Sequence, residues 1–209
     1  IEEFPPDIVP EPNKLVRAYA KAMAELKGAV TVAQVEAAVS AVNAAALQAA
    51  IEAVLEATKA DDVVKELKVL QHIAGSEVMT AEIDENSGDE YVAAIAAAQP
   101  TTAAGINDIV AEVNKLASIN GAGNADELRS VIELEIEVTA FIDLMPKERR
   151  EELAGIIYDG IGEDEGKKMY TSTAEFVADV EARVAEYRAA IDAINTVERI
   201  SDMQDALRV

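Results

Sequence analysis

The chain has 209 residues, with 18 basic against 40 acidic side chains and a net charge of −22. Half of it is apolar, 40 residues are alanine, only 4% are aromatic, and neither Cys nor Trp occurs. Such charge repels nucleic acid and anionic membranes, the missing thiol removes disulfides, thiolate nucleophiles and cysteine-type zinc sites, and one histidine, His72, leaves little for acid–base chemistry.

Residues 1–12 (IEEFPPDIVPEP) hold four of the six prolines and read as an extended arm, with Phe4, Ile8 and Val9 able to pack on a neighbour. Apolar residues then recur at three-and-four spacing, which predicts helices throughout and no strand. Asn13 caps a helix to about Lys27, closed by Gly28. Thr31-Val-Ala-Gln34 is a capping box, each side chain satisfying an orphan backbone N–H; it opens an Ala/Val helix to Ala57, with a break expected near Asn43. Further helices are predicted over 61–74, 89–98, 103–118 and 125–142, separated by an acidic loop at 75–88 and turns at 99–102 and 120–124. Asn124 and Glu127 form a second capping box. Pro146 opens a helix to Tyr158, and Asp159 to Gly166 is a loop. Ser172 with Glu175 and Ser201 with Gln204 are two more boxes, opening helices to Thr196 and through Val209.

The expected architecture is all-α: about eight helices in repeated short bundles behind the arm at 1–12, with helical regions at 13–120 and 121–209. The repeat rests on internal similarity. Residues 51–69 align without gaps over 191–209, an offset of 140, and Ile109 to Lys115 leading into Ala125 to Ile132 fits between as a third copy. Tyr91-Val-Ala-Ala-Ile95 lies over Leu153-Ala-Gly-Ile-Ile157, giving a unit of roughly 70 to 80 residues whose apolar faces are covered by neighbouring units. On that alignment Val209 falls inside a unit, so the last repeat is expected to be incomplete, and a chain opening on Ile1 is expected to be a processed product or a segment.

Ala125-Asp-Glu-Leu128 after a Val-Asn helix end, Leu144-Met-Pro-Lys-Glu-Arg-Arg-Glu-Glu-Leu-Ala154, Tyr170-Thr-Ser-Thr-Ala-Glu-Phe176 and Ala190-Ile-Asp-Ala-Ile-Asn195 together resemble helical repeats of bacterial surface-layer and other large cell-surface proteins, and similar modules of bacteriophage virion proteins. The likeness is clearest over 109–209. It implies a structural, surface-exposed, non-catalytic role in a surface or virion assembly, and it carries no functional residue over.

Candidate chemistry is sparse. Asp84 to Glu90 offers oxygen ligands at alternate positions, yet Asp89 stands where a calcium loop needs Gly and Ile95 where it needs a bidentate Glu. Glu163-Asp-Glu165 shares that weakness; both read as solvated loops. Glu133 and Glu137 fall on one helical face as acids do by chance. His72 near a helix end suits the macrodipole. Gly121-Ala-Gly123 lacks the third glycine and preceding strand of a phosphate loop and reads as a turn. Lys147, Arg149 and Arg150 make a basic spot that Glu148, Glu151 and Glu152 neutralise. No catalytic, cofactor-binding or metal residue is therefore assigned, and no cofactor. The expected partners are proteins or further copies of the chain rather than nucleic acid, a small-molecule substrate or a bilayer, since no run of roughly 18 apolar residues is unbroken. The competing expectation is an adhesin or scaffold module for a protein or cationic ligand, with or without calcium.

Overall fold

The structure, a computed structural model, describes residues 12–26, 30–162 and 168–206, with side-chain environments for 14–26, 30–162 and 168–196. The arm at 1–11, Gly28, the acidic loop Glu163-Asp-Glu165 and Val209 lie outside the described residues. Among those described the fold is all-helical, with nine α-helices and no strand. The chain divides into two compact units, 1–114 and 115–209. That division precedes the expected one at the 120–124 turn because Leu116 and Ile119 already pack into the second core.

The first unit contains α1 (Pro12–Glu25), α2 (Val32–Glu56), α3 (Ala60–Ala74), a 3-10 turn (Glu85–Ser87), α4 (Gly88–Ala98) and most of α5 (Ala103–Gly121). Thr31 caps α2 as a true box: its hydroxyl accepts from the Gln34 N–H at 3.4 Å, and the Gln34 side-chain carbonyl accepts from the Thr31 N–H at 2.9 Å. α2 is unbroken at Asn43, whose side-chain oxygen accepts the Tyr19 hydroxyl from α1. α3 carries Asp61 and Asp62 in its first turn, complementing the positive end of the helix dipole. It ends at Gly75 with φ of 85°, a conformation that costs glycine little. α4 ends at Gln99, also left-handed, ahead of Pro100. The core joins Ile51 and Val54 of α2, Val63, Leu67 and Leu70 of α3, Tyr91 and Ile95 of α4, and Ile106 and Val110 of α5.

The 75–84 stretch has no helix, yet side chains of the helices fasten its backbone. Gln71 donates to the carbonyls of Met79 and Ala81 at 3.2 Å each. Asn107 accepts from the Ala81 N–H at 2.8 Å, and Asn114 donates to the Glu82 carbonyl at 2.7 Å. Backbone groups that would otherwise lose water unpaired are thus satisfied.

The second unit takes the end of α5, then α6 (Ala125–Ser130), a π-helical turn (Val131–Glu135), α7 (Thr139–Leu144), α8 (Lys147–Asp159) and α9 (Thr173–Ala206). Its core gathers Ile119, Leu128, Ile132, Phe141, Ala154, Ile157, Tyr170, Phe176 and Val180. Phe141 and Phe176 are wholly buried, each contributing roughly 1.5–3 kcal/mol through that burial.

Two expectations are corrected here. The helix expected over 125–142 widens into the π turn, where the Ile136 N–H reaches the Val131 carbonyl, and breaks at Glu137, whose φ is 55°. The helices expected to end at Thr196 and start at Ser201 are one: α9 runs through both, so Ser201 caps nothing. The two aligned copies differ in local structure at one point. Residues 57–59 interrupt the helix between α2 and α3, whereas their counterparts 197–199 are helical. Although no apolar run of that length is unbroken, α2 is long and apolar enough to cross a membrane by length and composition, because alanine dominates and its three glutamates stand near its ends.

Candidate functional site

Three places were candidates by sequence or prove so by geometry: the surface of the α1–α2 hairpin, the depression beside the π turn, and the polar cluster where the chain returns into α9.

In the hairpin, α1 turns Ala18, Tyr19, Ala22 and Met23 inward, half-buried, and α2 turns Ala38, Val39, Val42 and Ala46 inward to match. The spacing of three and four on both helices makes that seam. Only the last turns of α2 enter the core, through Ala50, Ile51 and Val54. Outside that seam the rest stays in solvent: only 17% of its most apolar stretch is fully buried, and Val32 is 74% exposed. On α1, Val16 is 63% exposed.

The depression in the second unit has a volume of about 760 Å³ and is lined by Ala117, Ser118 and Gly121 of α5, by Asp126, Glu127, Arg129 and Ser130 of α6, and by Val131 and Glu135 of the π turn. Arg129 pairs with Asp126 at 3.2 Å, while its Nε is buried with no hydrogen-bond partner among the described residues. Glu127 is occupied locally. Its carboxylate accepts from the Gly123 N–H and the Asn124 side-chain amide at 2.8 Å each, and Asn124 in turn caps the Glu127 N–H at 2.9 Å. Gly121 is not in a turn as expected but closes α5, and Ala122-Gly123 leads on toward α6, fastened by the Tyr158 hydroxyl donating to the Gly123 carbonyl at 2.9 Å.

At the start of α9, Asn120 clasps the backbone of Tyr170 twice, accepting from its N–H at 3.0 Å and donating to its carbonyl at 2.9 Å. The Tyr170 hydroxyl donates to Asp179 at 2.6 Å, and Arg183 donates to the same oxygen at 3.2 Å. Burial, then the Asp179 carboxylate, pushes the Tyr170 hydroxyl well above the usual phenol range. Burial pulls Asp179 upward, but the donors Tyr170 and Arg183 outweigh it and hold the carboxyl low. Glu175 accepts from the Thr171 N–H at 3.0 Å and from its hydroxyl at 2.9 Å, and pairs with Lys168 at 3.1 Å. These contacts, the backbone bond foremost, lower its pKa to about 2. The Ser172 hydroxyl caps the Glu175 N–H at 3.2 Å, so this third box reaches back one residue further than expected. The cluster fastens a chain return and presents no open cleft.

The other sequence candidates are placed simply. Asp84 spends its carboxylate on the Asn86 N–H at 2.9 Å and the Ser87 hydroxyl at 3.1 Å; the Asn86 backbone bond foremost lowers its pKa. Among the described residues no three His, Asp or Glu side chains converge as metal ligands would. His72 is exposed in the last turn of α3. Of the basic spot, Arg149 pairs with Glu152 at 2.6 Å as helical spacing suggests. Arg150 does not: it crosses to Glu133 at 3.2 Å and donates to the carbonyls of Ile142 and Met145, the latter at 3.1 Å. Glu133 and Glu137 share no helical face, since the helix ends between them.

Sequence reasoning missed Arg150 as a cap, and the one signal for it was an arginine just after Pro146 at the start of a helix. Comparison with protein-family models, with curated proteins and with solved structures gave no match.

Proposed function

We propose that the chain is a non-enzymatic structural and interaction module of a larger surface or virion assembly, acting by helix packing and spacing. The observation that carries this is α2, an apolar helix of 25 residues that gives only Ala50, Ile51 and Val54 to a core. Apolar surface of that extent on a polar, acidic chain marks a contact surface. α9 supports the same reading: every side chain from Arg188 to Thr196 is exposed, Ile191 and Ile194 among them. Isolated helical stretches of that kind are marginal in water, and a packing partner stabilises them. The resemblance of 109–209 to helical repeats of cell-surface and virion proteins agrees. Chemical cross-linking in the source cells or particles, read by mass spectrometry, tests it. Intermolecular cross-links from Lys14 and Lys21 are expected; cross-links confined within one molecule would overturn the reading.

A second reading, an adhesin or scaffold module for a protein or cationic ligand, is favoured by the depression beside the π turn, whose lining holds three acids, Asp126, Glu127 and Glu135, and one cation, Arg129. Melting with and without millimolar Ca²⁺ separates its calcium-dependent form, which a constant melting temperature removes.

A further inference from the structure

We propose that the α1–α2 hairpin pairs with the same hairpin of a second copy of this chain, the two closing into a four-helix bundle; this rests on the reading of the chain as a helix-packing module. Two helices share one seam, and a two-helix layer buries its remaining apolar surface only against another layer. That surface is present on both helices. α1 exposes Leu15, Val16, Ala20 and Ala24, and α2 has no charged side chain from Ala37 to Ile51. Small side chains there let helix axes approach to roughly 8 Å.

Charge selects the occupant. α1 carries Lys14, Arg17 and Lys21 against Glu25 alone, and it is the one helix among those described with net positive charge, in a chain of net −22. α2 carries Glu36, Glu52 and Glu56 and no basic residue. All six of the basic and α2 acidic side chains are exposed. In a two-fold pairing a patch meets itself, so α1 of one copy lies along α2 of the other and plus meets minus twice. The extent suffices. With the last turns of α2 left out because they enter the core, the two helices present a face of roughly 500 Å² per copy at 1.5 Å rise and 10 Å width, about 1,000 Å² in total, the threshold for a specific contact.

Sedimentation velocity of the full chain with two charge-swapped variants tests this. The wild type is expected to dimerise at micromolar concentration. Arg17→Glu with Lys21→Glu, and separately Glu36→Lys with Glu52→Lys, should each weaken the dimer by about tenfold or more, and mixing the two variants should restore a one-to-one complex. Unchanged circular-dichroism melts show that the variants fold, and a variant that does not is replaced by Arg17→Gln or Glu52→Gln with a smaller expected loss. Four results would overturn the pairing: a monomeric wild type, a dimer that neither swap weakens, a dimer that forms only once residues 1–11 are removed, or a monomer that pellets with phosphatidylserine vesicles. A monomer that still yields cross-links to other proteins in its source loses the pairing but keeps the module reading. A dimer whose cross-links run only between copies of the chain keeps the pairing and removes the larger assembly.

Discussion

Gly88 opens α4 directly against the start of α3. A Cβ on it would stand 2.7 Å from the Ala60 Cβ and 2.9 Å from that residue's Cα and carbonyl oxygen, and backbone atoms cannot swing aside. Gly88→Ala is therefore expected to destabilise the first unit by about 1–3 kcal/mol, seen as a lower urea midpoint with unchanged slope. In sequence this glycine reads only as the end of an acidic loop, since the neighbour that requires it is 28 positions away. Tyr170 is similar. Its ring is buried edge-on to Phe176, with centroids 4.9 Å apart, and its hydroxyl serves Asp179. Tyr170→Phe keeps the packing and strips Asp179 of a donor, at a cost of about 1–3 kcal/mol in urea unfolding. Glu175 gives a pH signature. Its folded pKa of about 2 lies below the ordinary 4.5, so its contribution is present above the ordinary value and is lost as pH falls from there through about 2. Glu175→Gln should flatten the acid limb of the melting temperature over that window; an unchanged limb would exclude the Thr171 and Lys168 contacts as its source.

At the level of elements, the π turn and the break after it depend on Arg150. Its guanidinium occupies the carbonyls at the end of α7 and holds Glu133 of the π turn, joining segments that no helical ladder connects. Arg150→Met keeps much of the side-chain volume and leaves those acceptors and a part-buried carboxylate without a donor. A loss of about 2–4 kcal/mol is expected, against a far smaller one for Arg149→Met, whose pair with Glu152 is solvent-exposed. Equal losses would contradict the capping role. The helices themselves were legible: start signals at Thr31, Asn124 and Ser172 all cap the following helix. The break at 136–138 was not, because Val131, Ile132, Leu134, Ile136 and Val138 sustain an apolar pattern with neither Gly nor Pro to interrupt it. Glu137 adopts its left-handed conformation under tertiary packing, with Val138 and Phe141 drawn into the core. Conversely Ser201 looked like a cap because its local pattern is right, but a helix already under way extends more readily than a new one nucleates.

For the molecule as a whole, net charge outweighs any single ion pair. Side chains totalling −22 repel one another in the folded chain more than in the expanded one. Raising salt from 0.01 to 1 M shortens the screening length from about 30 to about 3 Å, so the melting temperature is expected to climb with sodium chloride. A fall would mean that pairs such as Lys168–Glu175 and Arg150–Glu133 outweigh the general repulsion. The all-helical class was readable from composition and spacing because alanine-rich chains at that period have no competing strand pattern. Which surfaces stay open was not readable, since the same alanines line the hairpin seam and its outer side. From Arg188 to Thr196, finally, α9 presents its side chains wholly to solvent in a polypeptide that has no native thiol. One cysteine placed at Ala189 would be a sole attachment point, where a dye or spin label follows the protein without touching either core.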